Sequence, residues 1–432
     1  QIPNGTRDEC LDCPSGMAPS NATGADICTK VEGDAGQTES VTKTISGRAA
    51  AVGPLRFCDY EIVTTFGEFT GKTNADGTFS FTVTATPATA NVTQILASFG
   101  TESEGCEDTF TGSTRNVVVA YQEVGTTNSE ALSMMANPMT TISGLLPLFA
   151  AVTSHFRSYL SPDEEAVANF NAAAFLGLGD ISLPSQYDHV ARLADKASEA
   201  TATRFLTAVT KANALASLGA AYMNTSLNVE FGEAQGNMYV SYTAIALNQT
   251  TMNFASSDDV KRVLSTAMSL KDVSSRRRLQ QASDADLAAL AEVATVVASE
   301  IEASAQSGGD VSSVVQAITQ SAIAVETKLA EEAKQLGQGT LSSSDFTASN
   351  TAAKFTEKRE QASVPSSMME TFSSITGITN TAPSTKKDDD EATIIIAVVC
   401  SVGGLLVLSL AGFLIKKQMA RGEGAEDKVI PK

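Results

Sequence analysis

The chain has 432 residues and a formal net charge of −19 at pH 7, with a pI near 4.6. That balance argues against a nucleic-acid partner and against broad adhesion to anionic lipid, since both call for a positive field. Tryptophan is absent and only 6% of residues are aromatic, so large core side chains are scarce and Ala-rich helices or small domains are expected. The length allows two or three domains.

Gln1 opens the chain without an initiator Met or a signal peptide and reads as a processed start. Residues 1–37 carry the frame Cys10-x-x-Cys13-Pro14-x-Gly16, followed by Cys28. Five cysteines, Cys10, Cys13, Cys28, Cys58 and Cys106, fall in the first quarter, and in an oxidising compartment they are expected to pair with one left over. Zinc is the rival reading of C-x-x-C, but no second such pair exists. The frame resembles the end of an ephrin-receptor-like or growth-factor-type Cys-rich repeat. That resemblance implies a Cys13–Cys28 bridge, with Cys10 closing a loop from upstream or bridging another molecule.

Residues 38–125 read as β-rich. Val41 to Ile45 alternate up to Ser46-Gly47, and a second apolar stretch holds Phe57, Tyr60, Ile62 and Val63. Asp76-Gly77 is a turn signal, after which Phe79, Phe81 and Val83 line one face at period two. Asn91 to Phe99 and Val117 to Tyr121 supply further strands, and short strands at this spacing predict a β-sandwich. The stretch from Thr73 to Phe81, TNADGTFSF, resembles the signature of carboxypeptidase-regulatory-like and collagen-adhesin B-type sandwiches, which serve as stalk or accessory modules. In such a domain Cys58 and Cys106 are expected to form a bridge. Asn137-Pro138-Met139-Thr140-Thr141-Ile142 resembles the segment that follows these sandwiches in large bacterial and algal surface proteins, ahead of an Ala-rich helical region.

Residues 126–337 are expected to form that helical region, as an elongated bundle. Ser161-Pro162-Asp163-Glu164 is a capping box opening a helix to Phe175, which Gly177 and Gly179 end. An Ala-rich run covers His189 to Met223. Residues 227–253 are ambiguous, with a hairpin around Gly232 to Gly236 as one reading. Helices resume at Ser257 and Ser283, and Gly308-Gly309 precedes a last helix from Val311 to Leu336. Residues 338–392 are Ser/Thr-rich and read as an extended stalk.

Residues 393–415, TIIIAVVCSVGGLLVLSLAGFLI, form a 23-residue run without a charge. As a helix it spans the roughly 30 Å hydrocarbon core of a bilayer. Lys416, Lys417 and Arg421 follow it, which favours a cytosolic tail at 416–432. Ala397 with Ser401, and Cys400 with Gly404, set small residues four apart on faces suited to close helix packing. Five sequons, at Asn4, Asn21, Asn91, Asn224 and Asn248, all precede this run and are candidate glycosylation sites.

The residues that carry chemistry are sparse. His155 and His189 are the two histidines, and the Asp188-His189 neighbours do not face each other on a helix, so a surface or helix-start role is expected. No H-E-x-x-H, phosphate-binding loop, dinucleotide fingerprint or nucleophile elbow occurs. Glu102, Glu104, Glu107 and Asp108 read as a solvated acidic loop. Arg276-Arg277-Arg278 interrupts the acidic chain, either as a site for a basic-residue-specific convertase or as an ordinary interhelix loop.

The sequence therefore predicts a multidomain chain: an all-β sandwich, a mainly α-helical elongated region and one transmembrane helix. The expected role is non-enzymatic and without cofactors. It is that of a plasma-membrane type I glycoprotein with its N-terminus outside, anchoring extracellular matrix or binding a surface protein. The rival expectation is an accessory or receptor subunit that assembles with another membrane protein through the span.

Overall fold

The computed structural model describes residues 41–378 apart from 65–66, 86–91, 101–105, 116–117, 126–131, 154–161, 182–185, 248–250 and 273–282, together with four short strands ahead of them. Those are β1 (Ile2–Pro3), β2 (Cys10–Leu11), β3 (Met17–Pro19) and β4 (Cys28–Lys30). They pair antiparallel, β1 with β2 and β3 with β4.

Ten strands follow: β5 (Val41–Ala49), β6 (Leu55–Arg56), β7 (Asp59–Thr64), β8 (Gly67–Lys72), β9 (Thr78–Ala85), β10 (Val92–Phe99), β11 (Cys106–Asp108), β12 (Thr114–Arg115), β13 (Val118–Gly125) and β14 (Leu132–Ala136). They build three small sheets, ordered β13-β10-β7-β8, β14-β5-β9 and β12-β11-β6. Ser46-Gly47 does not end its strand: β5 continues to Ala49. A Cβ at Gly47 would lie 1.6 Å from the Met134 carbonyl oxygen, so glycine here admits the parallel neighbour β14.

The Asp76-Gly77 turn joins strands of different sheets, since β8 pairs with β7 and β9 pairs with β5. Gly77 has φ +76°, and the Asp76 carboxylate accepts from the Thr78 amide at 3.1 Å. By carrying the chain across, the turn brings aromatic rings of both sheets together. Phe79 of β9 meets Phe99 of β10 at 4.7 Å between centroids and Tyr60 of β7 at 5.9 Å. These rings share one buried core with Ile45, Ile62, Met134 and the Cys58–Cys106 disulfide.

The helices are α1 (Pro138–Thr153), α2 (Pro162–Phe175), α3 (His189–Arg192), α4 (Glu199–Ser226), α5 (Phe231–Ala246), α6 (Ser257–Asp272), α7 (Asp284–Gln306), α8 (Val311–Ala324), α9 (Ala330–Gly337), α10 (Ser343–Ser349), α11 (Ala352–Glu360) and α12 (Ser366–Thr376), with a π turn at Val325–Leu329 between α8 and α9. Gly177 ends α2 at φ +73°, with the Leu178 amide donating back to the Ala173 carbonyl at 2.7 Å. Every residue of α4 from Phe205 to Met223 is buried except Lys211, which is half-buried. A helix apolar on all sides must be covered on all sides. Here α5, α7 and α9 pack around α4, and α6 completes the wrap through α5 and α7.

The helical region is a bundle whose helices close around α4. One open reading is resolved and one expectation is corrected. Among the described residues of the ambiguous stretch 227–253 there is no hairpin: Phe231–Ala246 is helical, and its apolar residues Ala234, Met238, Tyr242 and Ile245 recur at helical spacing and are buried. Residues 338–378 are not a stalk. Phe346, Phe355, Met368 and Phe372 are each fully buried in the helical core, on short helices capped at Ser342 by its side chain and ended at Gly377. Thr393–Ile415 lies outside the described residues. Among the described residues, no helix is long and apolar enough to cross a membrane.

Candidate functional site

Most of the buried polar chemistry near the sheets lies where they meet the helices. The Asp108 side chain at the end of β11 is completely buried and accepts from four backbone amides: Val52 at 2.8 Å, Gly53 at 3.0 Å, Phe110 at 2.9 Å and Thr111 at 3.2 Å. A buried carboxylate is tolerated when its lone pairs are satisfied in this way. It ties the turn after β5 to the turn after β11, and both turns feed the helical core through Ala50, Val52 and Phe110. Of the expected solvated acidic loop, Asp108 is therefore a structural clamp and Glu107 pairs with Arg56 at the surface, while Glu102 and Glu104 lie outside the described residues.

A second tie runs from β5 to the start of α3. The guanidinium of Arg48, one-tenth exposed, pairs with Asp188 through Nη1 and donates from Nε to the Asp76 carbonyl at 3.0 Å. Asp188 also accepts from the Ala191 amide at 3.1 Å, capping α3. His189 is buried and stacked on Phe205 at 4.8 Å, with Tyr187 stacked on the same ring at 5.2 Å. Burial pushes the His189 imidazole down to about 4; Asp188 raises it, the Arg48 charge lowers it and a hydrogen bond with the Val52 backbone raises it. Its Nε2 is buried without a hydrogen-bond partner. Asp188 is committed to Arg48 and to the α3 terminus, and His189 to an aromatic stack, so the two neighbours lock a junction and form no acid–base pair. The helix-start role expected of the pair is found, but His189 is not at the surface.

Elsewhere, an open groove of about 900 Å³ runs between α4, α7 and the loops after α2 and α7. Its cations, Arg204 and Lys211, are both paired, to Asp180 at 2.7 Å and to Glu302. Burial pushes the Glu302 carboxyl up, but the Lys211 hydrogen bond and charge and a bond from Gln306 outweigh it and hold it below the usual range. Among the described residues the groove thus offers an anionic ligand no uncompensated cation. On the sheet side Phe57 stands 59% exposed at φ +50°, held beside the disulfide by the Thr73 hydroxyl, which accepts from the Cys58 amide at 2.8 Å and donates to the Leu55 carbonyl at 2.7 Å. A bulky residue with positive φ is a strained choice.

Of the residues singled out by sequence, Cys58 and Cys106 form a disulfide. Cys28 lies on β4, while Cys13 lies outside the described residues. Asn224 is half-buried in the last turn of α4, and its amide nitrogen donates to the Val229 carbonyl at 2.8 Å, so a glycan there would occupy the atom that closes the turn into α5. Asn4, Asn21, Asn91, Asn248, Arg276, Arg277, Arg278, Ala397, Cys400, Ser401 and Gly404 lie outside the described residues. Among the described residues, no group of three or more His, Cys, Asp or Glu could hold a metal ion. Sequence reading missed Arg48 and took Asp108 for part of a solvated loop. Their partners sit 140 and about 55 residues away, and no local pattern marks either one.

The chain matches no known protein family, no curated protein and no solved structure.

Proposed function

We propose that the chain is a type I single-pass glycoprotein of the plasma membrane, whose outer body anchors matrix or presents a surface to another protein. One observation carries the reading: a 23-residue uncharged run follows closely on the folded body, which the described residues trace to Ile378. The Cys58–Cys106 bridge supports it, because such bonds persist in oxidising compartments. In this reading the two larger sheets, whose aromatic faces share a core, are a β-sandwich of the adhesin-like kind, joined to a separate helical domain. Strained and exposed, Phe57 is the candidate contact residue. The convertase reading of Arg276–Arg278 belongs to the same proposal.

The experiment is surface labelling of cells expressing the chain with Leu405→Lys beside wild type. A lysine at the centre of the run costs about 3 kcal/mol of insertion. Loss of the membrane-retained, surface-labelled form is expected, and unchanged delivery would overturn the assignment. The pairs Ala397/Ser401 and Cys400/Gly404 favour a second reading, an accessory subunit packed through the span. That reading requires a defined membrane protein to co-purify in mild detergent and to be lost with Gly404→Leu.

A further inference from the structure

We infer that a cut at Arg276–Arg278 leaves the outer body intact as two non-covalently joined chains. The inference takes from the processing reading only the position of the cut; the holding force comes from the helices on either side. The segment joins Asp272, the last residue of α6, to Ser283, which caps α7 by accepting from the Asp286 amide at 3.0 Å. Cutting there divides the described fold into every strand with α1–α6 on one side, and α7–α12 on the other.

The two parts share a single core. The faces of α4 that α5 leaves open are covered by α7 and α9, both on the second fragment. Leu215 and Tyr222 of α4 belong to one buried cluster with Val297 and Ile301 of α7 and Leu336 of α9. The approach is close: a Cβ at Gly337 would lie 2.8 Å from the Tyr222 carbonyl oxygen. Polar ties cross the same boundary. Tyr222 donates to Asp286 at 3.2 Å, Thr225 donates to the Lys334 carbonyl at 3.0 Å, and Lys211 pairs with Glu302. The second fragment also reaches the sheet region, where Phe372 of α12 meets Phe110 at 6.2 Å and Ser113 donates to Glu326. An interface that resembles a domain core cut in half is the hallmark of an obligate complex.

No disulfide contributes among the described residues, since Cys58–Cys106 lies within the first fragment. Cys400, inside the uncharged run, is the one cysteine beyond Arg278. Non-covalent contacts alone therefore retain residues 1–278 on the anchored residues 279–432. The outer fragment then leaves when the helical core unfolds and not when the chain is cut.

The test treats detergent-solubilised full-length protein with a purified basic-residue convertase. Two bands on a denaturing gel without reductant, co-eluting as one species in native size exclusion and parting only in denaturant, are expected. Departure of the 1–278 fragment in native buffer would overturn the inference. If the convertase does not cut, the processing reading fails by itself. A variant with a viral protease recognition sequence in place of residues 276–278, cut with that protease, then gives the same two outcomes for the holding.

Discussion

Arg48 on β5 and Asp188 at the start of α3 lie 140 residues apart and form an ion pair that fastens the sheet region to the helical region. Both side chains are largely withdrawn from water, so neither is at ease without the other. Replacing Arg48 by Ala leaves a poorly solvated carboxylate and is expected to cost about 3 kcal/mol. Asp188→Asn keeps an N-cap residue and is expected to cost less. Urea unfolding of the secreted outer body ranks the two variants, and equal stability of Arg48→Ala and wild type would remove this pair from the list of ties.

His189 links the same junction to pH. Its folded value, about 4, lies below the ordinary 6.5, so as pH falls the unfolded chain takes up the proton first. The contribution is complete above about 6.5 and is lost as pH falls from there to about 4, by roughly 3 kcal/mol over the whole window. His189→Gln is expected to flatten that part of the stability curve, read as the difference between wild type and variant at each pH. A curve unchanged in shape would show that the acid sensitivity arises elsewhere.

The Cys58–Cys106 bridge spans 48 residues in sequence. Closing a loop of that length contributes on the order of 4 kcal/mol through the unfolded chain. The double variant Cys58→Ala/Cys106→Ala should lose about that much in equilibrium denaturation, or fail to be secreted.

Phe355 and Phe372 test whether the last short helices belong to the fold. Each is fully buried, and Phe→Ala at either position is expected to cost about 3–5 kcal/mol. A stalk would tolerate both changes with no shift in melting temperature.

Phe57 is expected to behave in the opposite way. It is exposed and held at φ +50°, so Phe57→Asn should leave stability unchanged or raise it by about 1 kcal/mol. Loss of binding to cells or matrix with stability intact would mark Phe57 as a contact residue. Destabilisation would mean that its ring supports the loop.

Sequence by itself determined the local features, because each depends on neighbours in the chain. Period two at Phe79 and Phe81 put both rings on one buried face, Gly177 ended α2, and Ser283 opened α7. The Asn137-Pro138 motif announced a change of structure, and it is the buried elbow from β14 into α1: the Asn137 side-chain oxygen accepts from the Met139 and Thr140 amides at 2.9 and 3.0 Å. The uncharged run at 393–415 was equally legible, as a matter of length and composition.

Tertiary structure alone decided the rest. Gly47 looked like a strand end until the Met134 carbonyl of β14 was brought against it. Residues 231–246 carry Val and Tyr that suit strands and Gly that suits a turn between them, yet burial against α4 and α6 selects the helix. Residues 338–378 looked like a stalk because polar residues outnumber the few aromatics, but those few each fill a place in the core. Arg48, Asp108 and Asp188 acquire their roles from partners far along the chain. A sequence pattern reports what a residue does to its neighbours within a few positions; which distant surface covers it is set by the packing of the whole.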